Sequence, residues 1–252
     1  MSLGRSAINA IHRELADRAE LHPGLVVAHG LGEWPGSGDQ SKARLIARLA
    51  SLPPAPFYLA ALERWKSRTA EHARFAGFSL RLAGRLYIGV SRDNALETGV
   101  TVSHTFGAPL IPGSAVKGLA RAAADALCRQ GQLSEAALRW IFGTDAEEGE
   151  AGGLVFHDAW WEGASEQRPF VAEVVTPHHT EYYGHQGRAA ASDFDSPVPA
   201  PQIAVQGGFY FVVEGDPDWA GVAAGILRQA LTVWGIGAKK TSGYGTFRNA
   251  EA

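Results

Sequence analysis

From Phe78 to Val90, apolar side chains fall on every second position except Gly84: Phe78, Leu80, Leu82, Leu86, Ile88 and Val90. A period of two belongs to a strand, whose successive side chains point to opposite faces of a sheet. The intervening face carries Ser79, Arg81, Arg85 and Tyr87. A second strand of this kind is predicted over Gln202–Glu214, with Ile203, Val205, Phe209, Phe211 and Val213 on one face. Helical periods lie between and after the two. Ser114, whose hydroxyl can accept from an orphan amide, is predicted to cap a helix running to about Gln130, with Gly131 as its stop. Val116, Leu119, Ala120, Ala123 and Leu127 form its apolar stripe, and Lys117 and Arg121 lie one turn apart on another face. Asp216-Pro217 opens a further helix, with Asp as cap and Pro at the first position. Trp219, Val222, Ile226, Ala230 and Val233 are its expected core face.

Gly153–Trp161 and Phe170–Thr176 read as two more strands, and Tyr244–Arg248 as a short last one. The order from Phe78 is strand, helix, strands, strand, helix, strand. That order suits an α+β, ferredoxin-like core. Pro177–Pro201 is too long for an ordinary connection and is expected to be a functional loop or an extended hairpin. Residues 1–75 read as an N-terminal helical extension. Ile8–Leu21 is expected to be an amphipathic helix that stops near Pro23-Gly24; Lys42–Leu49 and Phe57–Arg74 are further helices around Pro53-Pro54. The stretch Gly30–Gly38 lacks the last glycine of a dinucleotide fingerprint, because Pro35 stands there, and is read as a loop.

Composition narrows the classes. The net charge is −3, which weighs against a free nucleic-acid binder. The charge is uneven, however. Residues 71–140 hold eight Lys and Arg against five Asp and Glu, whereas residues 141–220 hold two against fourteen. A basic face and an acidic face can therefore coexist. The single cysteine, Cys128, excludes an internal disulfide and is expected to be a small buried apolar group. No apolar run approaches the roughly 20 residues of a membrane span, and Met1–Glu20 has no apolar signal core, so a cytoplasmic protein is expected.

Two segments bear on chemistry. Gly235-Ile236-Gly237-Ala238-Lys239-Lys240-Thr241-Ser242-Gly243-Tyr244-Gly245 has four glycines, two lysines and two hydroxyls. Glycine permits backbone conformations closed to other residues, and amides freed in such turns can point at phosphate oxygens. The segment is not a Walker A loop, since its spacing differs and no helix follows. It is either a tight connection or a clamp on an RNA backbone. The second segment, Ile111-Pro112-Gly113-Ser114-Ala115-Val116-Lys117-Gly118, sets helix-N-terminal amides beside a lysine, a ready anion site.

These segments resemble the C-terminal glycine-rich loop and the Ile-Pro-Gly-Ser-small-aliphatic-Lys-Gly hallmark of the RAMP superfamily of CRISPR proteins. Leu96-Glu97-Thr98-Gly99, Thr176-Pro177-His178, Tyr182-Tyr183 and Pro197-Val198-Pro199 resemble one branch of it, the sixth subunits of type III-B Cmr RNA-targeting complexes. The likeness runs from about Leu80 to Phe247 in one domain taken as residues 76–252. It implies a ferredoxin-like, RNA-recognition-motif-like core. It further implies a non-catalytic subunit that caps the filament near the crRNA 3′ end, touches crRNA and target RNA, and sits beside other RAMP subunits in antiviral defence. The RNA contacts expected are Arg81 and Arg85 on the strand; Gly113, Ser114, Lys117 and Arg121 on the helix; His178, His179, Tyr182 and Tyr183 on the long excursion; and Gly237, Lys239, Lys240, Thr241, Gly243 and Tyr244 on the glycine loop.

Each has a plainer reading beside it: a solvated sheet face, a simple cap, a surface loop packed on a neighbour, a tight connection. Two rival functions are a metal-independent endoribonuclease, with His178 or His179 paired to Tyr182 as base and acid, and a structural end-cap that touches protein only. Asp93 lies roughly where the target-cleaving backbone subunit of such complexes carries its acidic residue. No metal or cofactor is expected, because His178, His179 and His185 lack a fourth ligand at recognisable spacing.

Overall fold

The structure is a computed structural model and describes residues 22–30, 40–70, 73–90, 98–144, 149–164, 167–176 and 199–249. Three helices lead in: α1 (Pro23–His29), α2 (Ser41–Ser51) and α3 (Pro56–Ala70). Then follow β1 (Phe75–Leu82), β2 (Leu110–Ile111), α4 (Gly113–Arg129), α5 (Glu135–Phe142), β3 (Val155–Phe156), β4 (Ala159–Glu162), β5 (Phe170–Val175), β6 (Ala200–Val205), β7 (Gly208–Glu214), α6 (Pro217–Val233) and β8 (Phe247–Asn249). The fold is α+β. One antiparallel sheet has the order β2-β4-β7-β1-β8, with β3 also on β7, and β5 and β6 form a separate two-stranded sheet.

Burial on β7 explains the layering. Every residue from Gly208 to Val213 is buried. A strand buried along its whole length must be covered on both faces. Phe209, Phe211 and Val213 enter the main core with α4 and α6, while Tyr210 and Val212 pack with Leu62 and Trp65 of α3. The tie to α3 is also polar: Tyr58 Oη donates to the Trp161 carbonyl at 2.6 Å, the Thr69 and Tyr210 hydroxyls are 2.7 Å apart, and Lys66 Nζ lies 2.6 Å from Glu162. Burial pushes the Tyr58 phenol well up from its ordinary value, and the hydrogen bond to Glu162 raises Lys66. The face of the sheet opposite α4 and α6 is thus largely roofed by a helix, where the sequence left it open to solvent or RNA.

Other expectations shift for identifiable reasons. The strand expected over Phe78–Val90 starts at Phe75 and ends at Leu82, where Ala83-Gly84 bends the chain. Leu86 and Tyr87 then make single bridges, to Val205 and Ala238. The expected strand Gln202–Glu214 is two, parted at Gly207, whose φ of +107° suits glycine. The two-residue break preserves parity, so the alternation runs through it unmarked. Pro23 opens α1 rather than ending a helix, since proline is pre-set for a first helical turn; Ile8–Leu21 lies outside the described residues. Asp216 caps α6 as read, its carboxylate accepting from the Asp218 and Trp219 amides. The buried face of α6 is Ala220, Ala223, Ala224, Ile226, Leu227, Ala230 and Leu231; of the stripe expected, Ile226 and Ala230 are buried and Trp219 packs against the core, whereas Val222 and Val233 are exposed. Helix α5, capped by the Ser134 hydroxyl on the Ala137 amide at 3.2 Å, was not anticipated; the Ser-Glu start was its signal.

Candidate nucleic-acid interface

The glycine-rich segment joins α6 to β8, and its backbone is knitted to the chain just beyond β1. The Ala238 and Gly245 amides donate to the Tyr87 and Arg85 carbonyls, both at 2.8 Å, and Ala83 donates to Thr246 at 2.9 Å. On the other flank, Leu86 and Val205 exchange two hydrogen bonds of 2.9 Å. Residues 85–87 therefore lie between the glycine loop and the β5–β6 hairpin. The hairpin runs out to the pair Val175↔Ala200, and residues 177–198 continue from there. Expected contacts His178, His179, Tyr182 and Tyr183 lie outside the described residues, as does Asp93.

Within the loop the glycines serve the protein's own backbone. Gly237 (φ +87°) and Gly245 (φ +74°) have no room for a Cβ, which would strike the Tyr87 and Ile236 carbonyls respectively. Gly243 (φ +86°) needs its conformation but faces open space. The amides are largely committed: Gly235, Ile236, Ala238, Ser242, Gly243, Tyr244 and Gly245 all donate to chain carbonyls. What the loop presents outward is side chains. Lys240–Ser242 form an exposed 3₁₀ turn. Lys239, before it, is the one described non-glycine residue with positive φ, at 57°. Left-handed backbone costs a side-chain-bearing residue about 1–2 kcal/mol, and such strain gathers at working sites.

Tyr87 is the floor of this arrangement, not part of an outer face. It is buried, with Lys239 Nζ 4.8 Å from its ring centroid and the Tyr244 ring at 4.7 Å. Burial, together with the adjacent Tyr244 hydroxyl, pushes its phenol up to about 12. The ammonium over a ring is a cation–π contact, worth about 0.5–1 kcal/mol where exposed. The two strand arginines are also engaged. Arg85 pairs with Glu173 of β5, and Arg81 donates to Gln167 Oε1 at 2.9 Å. Glu173 was missed by sequence reasoning, although a lone carboxylate within Phe170–Val175 is a charge that needs a partner.

The second expected anion site is built differently. Helix α4 begins at Gly113, with Pro112 as its cap residue and no cap from Ser114, which is exposed. The Gly113 amide donates to Asp158 Oδ1 at 2.6 Å, so a carboxylate of the protein occupies the leading donor. Gly113 is required because a Cβ would meet the Phe156 carbonyl. Lys117 and Arg121 are half-buried on the flank of α4. The far end matches the sequence: Gly131 (φ +72°) and Gln132 donate back to Cys128 and Leu127, closing the helix in a Schellman turn. Cys128 itself is half-buried, its thiol 3.1 Å from the Leu133 carbonyl.

The structure thus brings Arg85, Lys239 and Tyr244 together around Tyr87, with Lys240 and Thr241 on the turn between Lys239 and Tyr244, while Arg81 is held by Gln167. It does not bring Gly113, Ser114, Lys117 and Arg121 to them. Gly113 follows β2 at one end of the sheet order and the glycine loop feeds β8 at the other.

The chain is 24% identical, over 221 aligned residues, to the CRISPR system Cmr subunit Cmr6 of Pyrococcus furiosus, and the match covers 64% of each chain. The chain therefore spans about two thirds, at 64%, of that relative's length. Among solved structures, a chain of the type III-B Cmr-beta complex bound to cognate target RNA superposes with a TM-score of 0.63 at 21% identity, covering 83% of this chain and 71% of that one. Cmr6 from Pyrococcus furiosus matches at 22% identity and a TM-score of 0.45, covering 70% and 98%. A model of the RAMP superfamily matches residues 79–248, from the middle of β1 through the glycine loop into β8, and on that match the chain belongs to the RAMP superfamily.

Proposed function

We propose that this chain is a non-catalytic, RNA-binding subunit of a type III-B CRISPR (Cmr) effector complex. It would cap the filament near the crRNA 3′ end, touch crRNA and target RNA beside sister RAMP subunits, and act in the cytoplasm in antiviral defence. The observation that carries the reading is the exposed Lys240–Ser242 turn with Lys239 behind it, propped on the buried Tyr87 and flanked by Tyr244. Cationic and hydroxyl side chains on a rigid support suit a sugar–phosphate backbone, whose recognition is dominated by charge. The similarity to Cmr6 points the same way.

The fold reading goes with it. The sheet order, with β7 and β1 in the centre, β4 beyond β7, β8 beyond β1 and α4 and α6 on one face, is what a ferredoxin-like βαββαβ core requires. We take residues 1–75 as a helical extension and 76–252 as the RAMP core of one domain. Ile46, Leu49 and Tyr58 share the main core with the sheet, which favours one domain. Against catalysis, the gathered groups are arginine, lysine, hydroxyls and phenols. A phenol pushed up to about 12 is poorly matched to proton transfer near neutral pH.

Filter binding of a single-stranded guide RNA at two salt concentrations tests the reading. Replacing Lys239 and Lys240 by Ala should weaken binding and reduce the slope of log K against log salt by about 1.4, since each lost phosphate contact on a single strand is worth about 0.7. An unchanged slope would remove this loop from the interface.

A further inference from the structure

Beyond RNA, a different surface of the molecule has the chemistry to hold a partner. On the α3 side of the sheet, a recess of about 390 Å³ is lined by Trp65, Phe156, His157, Asp158 and Trp160. A smaller one of about 70 Å³, lined in part by Tyr58 and Phe106, adjoins it and shares Asp158 and Trp160. Trp160 is nearly parallel to two rings of α3, at 14° to Tyr58 (centroids 5.8 Å apart) and 24° to Trp65 (6.4 Å). The result is an aromatic wall with one carboxylate in its lining.

The charges around it are uneven. Lys66 is paired with Glu162 at 2.6 Å, and Arg74 and His157 share Glu214 at 2.6 and 2.8 Å. Asp158, which is exposed, accepts only the uncharged Gly113 amide and has no cationic partner among the described residues. An unpaired carboxylate beside indole faces attracts a cation, because the ring quadrupole and the negative charge act in the same sense. It disfavours a phosphate backbone for the same reason.

We propose that this recess receives an arginine or lysine side chain from a neighbouring protein chain, with the cation on Trp160 and against Asp158. It is a protein-docking site on the α3 side of the sheet, beside the start of α4, and it does not depend on the RNA reading. Arginine is the better fit, since its planar guanidinium stacks on a ring while donating to a carboxylate.

The indole ¹H–¹⁵N signals of the full chain provide the test, with the peptide Ac-Gly-Arg-Gly-NH₂ as probe. The arginine peptide should move the Trp65 and Trp160 signals, and its uncharged citrulline counterpart should bind more weakly. Asp158→Asn keeps an oxygen for the Gly113 amide, so the helix start should survive. That variant should lose roughly three- to fivefold in affinity for the arginine peptide, in keeping with one exposed charge contact. Trp160→Leu should lose binding, and Trp160→Phe should retain most of it. Equal binding of the two peptides, unchanged affinity in both Asp158→Asn and Trp160→Leu, or signals moved by oligouridylate and not by peptide would each overturn the proposal.

Discussion

The glycine loop and the start of α4 look alike as sequence: each sets glycine, a hydroxyl and lysine together in a backbone with orphan amides. In three dimensions they part. At α4 the leading amide is already held by Asp158, and the glycine is there because the Phe156 carbonyl crosses it. In the loop, too, most amides and three of the glycines serve internal packing, yet Lys240–Ser242 are carried outward on an exposed turn with half-buried Lys239 before it. The difference teaches that glycine in such motifs marks where backbone meets backbone. Under the proposed function, the nucleic-acid contacts fall to the side chains that this packing leaves outside.

The comparison can be strained at several points. The largest effect is expected from Gly245→Ala, which adds a Cβ against a carbonyl at positive φ. Overpacking and left-handed backbone together should cost about 3 kcal/mol in urea unfolding, against about 1 kcal/mol for Gly243→Ala, which faces open space. Equal losses at the two positions would mean that packing is not what the glycines serve. Next, Lys239→Ala with Lys240→Ala should lower RNA affinity about tenfold at low salt, and Lys117→Ala less than threefold; filter binding with matched protein preparations would separate them. Asp158→Ala should then destabilise the fold by about 1 kcal/mol, the usual worth of a lost helix cap, without altering the salt slope of RNA binding. The smallest effect is a pH dependence at Tyr87. Its phenol is held neutral in the fold, so the stability it contributes is complete below about pH 10 and is lost as pH climbs towards about 12. Tyr87→Phe should flatten that part of the stability curve, and wild type and variant should run parallel below pH 9.

How far the fold was legible depends on the kind of signal. Local chemistry carried well: Asp216 capping α6, Gly131 closing α4, and the alternation that marks β1 and β7. Tertiary layering did not. Nothing in the alternation of β1 says that α3 will roof its second face, because half-buried and solvated positions there are both polar or small. Tyr87 illustrates the failure most simply. Its parity places it with Arg81 and Arg85, but the bend at Ala83-Gly84 ends the strand first and the ring is buried under Lys239. The glycine loop was legible as a set of residue types, and where the fold places them was legible only in part. That the α4 start and the glycine loop lie at opposite ends of the sheet follows from strand order, which spacing along the chain does not encode. Asp158 escaped notice because a cap supplied from 45 residues away leaves no local pattern.

The claim that side chains of the glycine loop, and not the amides of α4, meet the RNA is tested most directly by photocrosslinking. The full chain would be crosslinked to a guide RNA containing 4-thiouridine, and the adducts mapped by mass spectrometry. Adducts concentrated in 239–244, with residues 113–121 at background, are the predicted result. Adducts on 113–121 with 239–244 at background would contradict it.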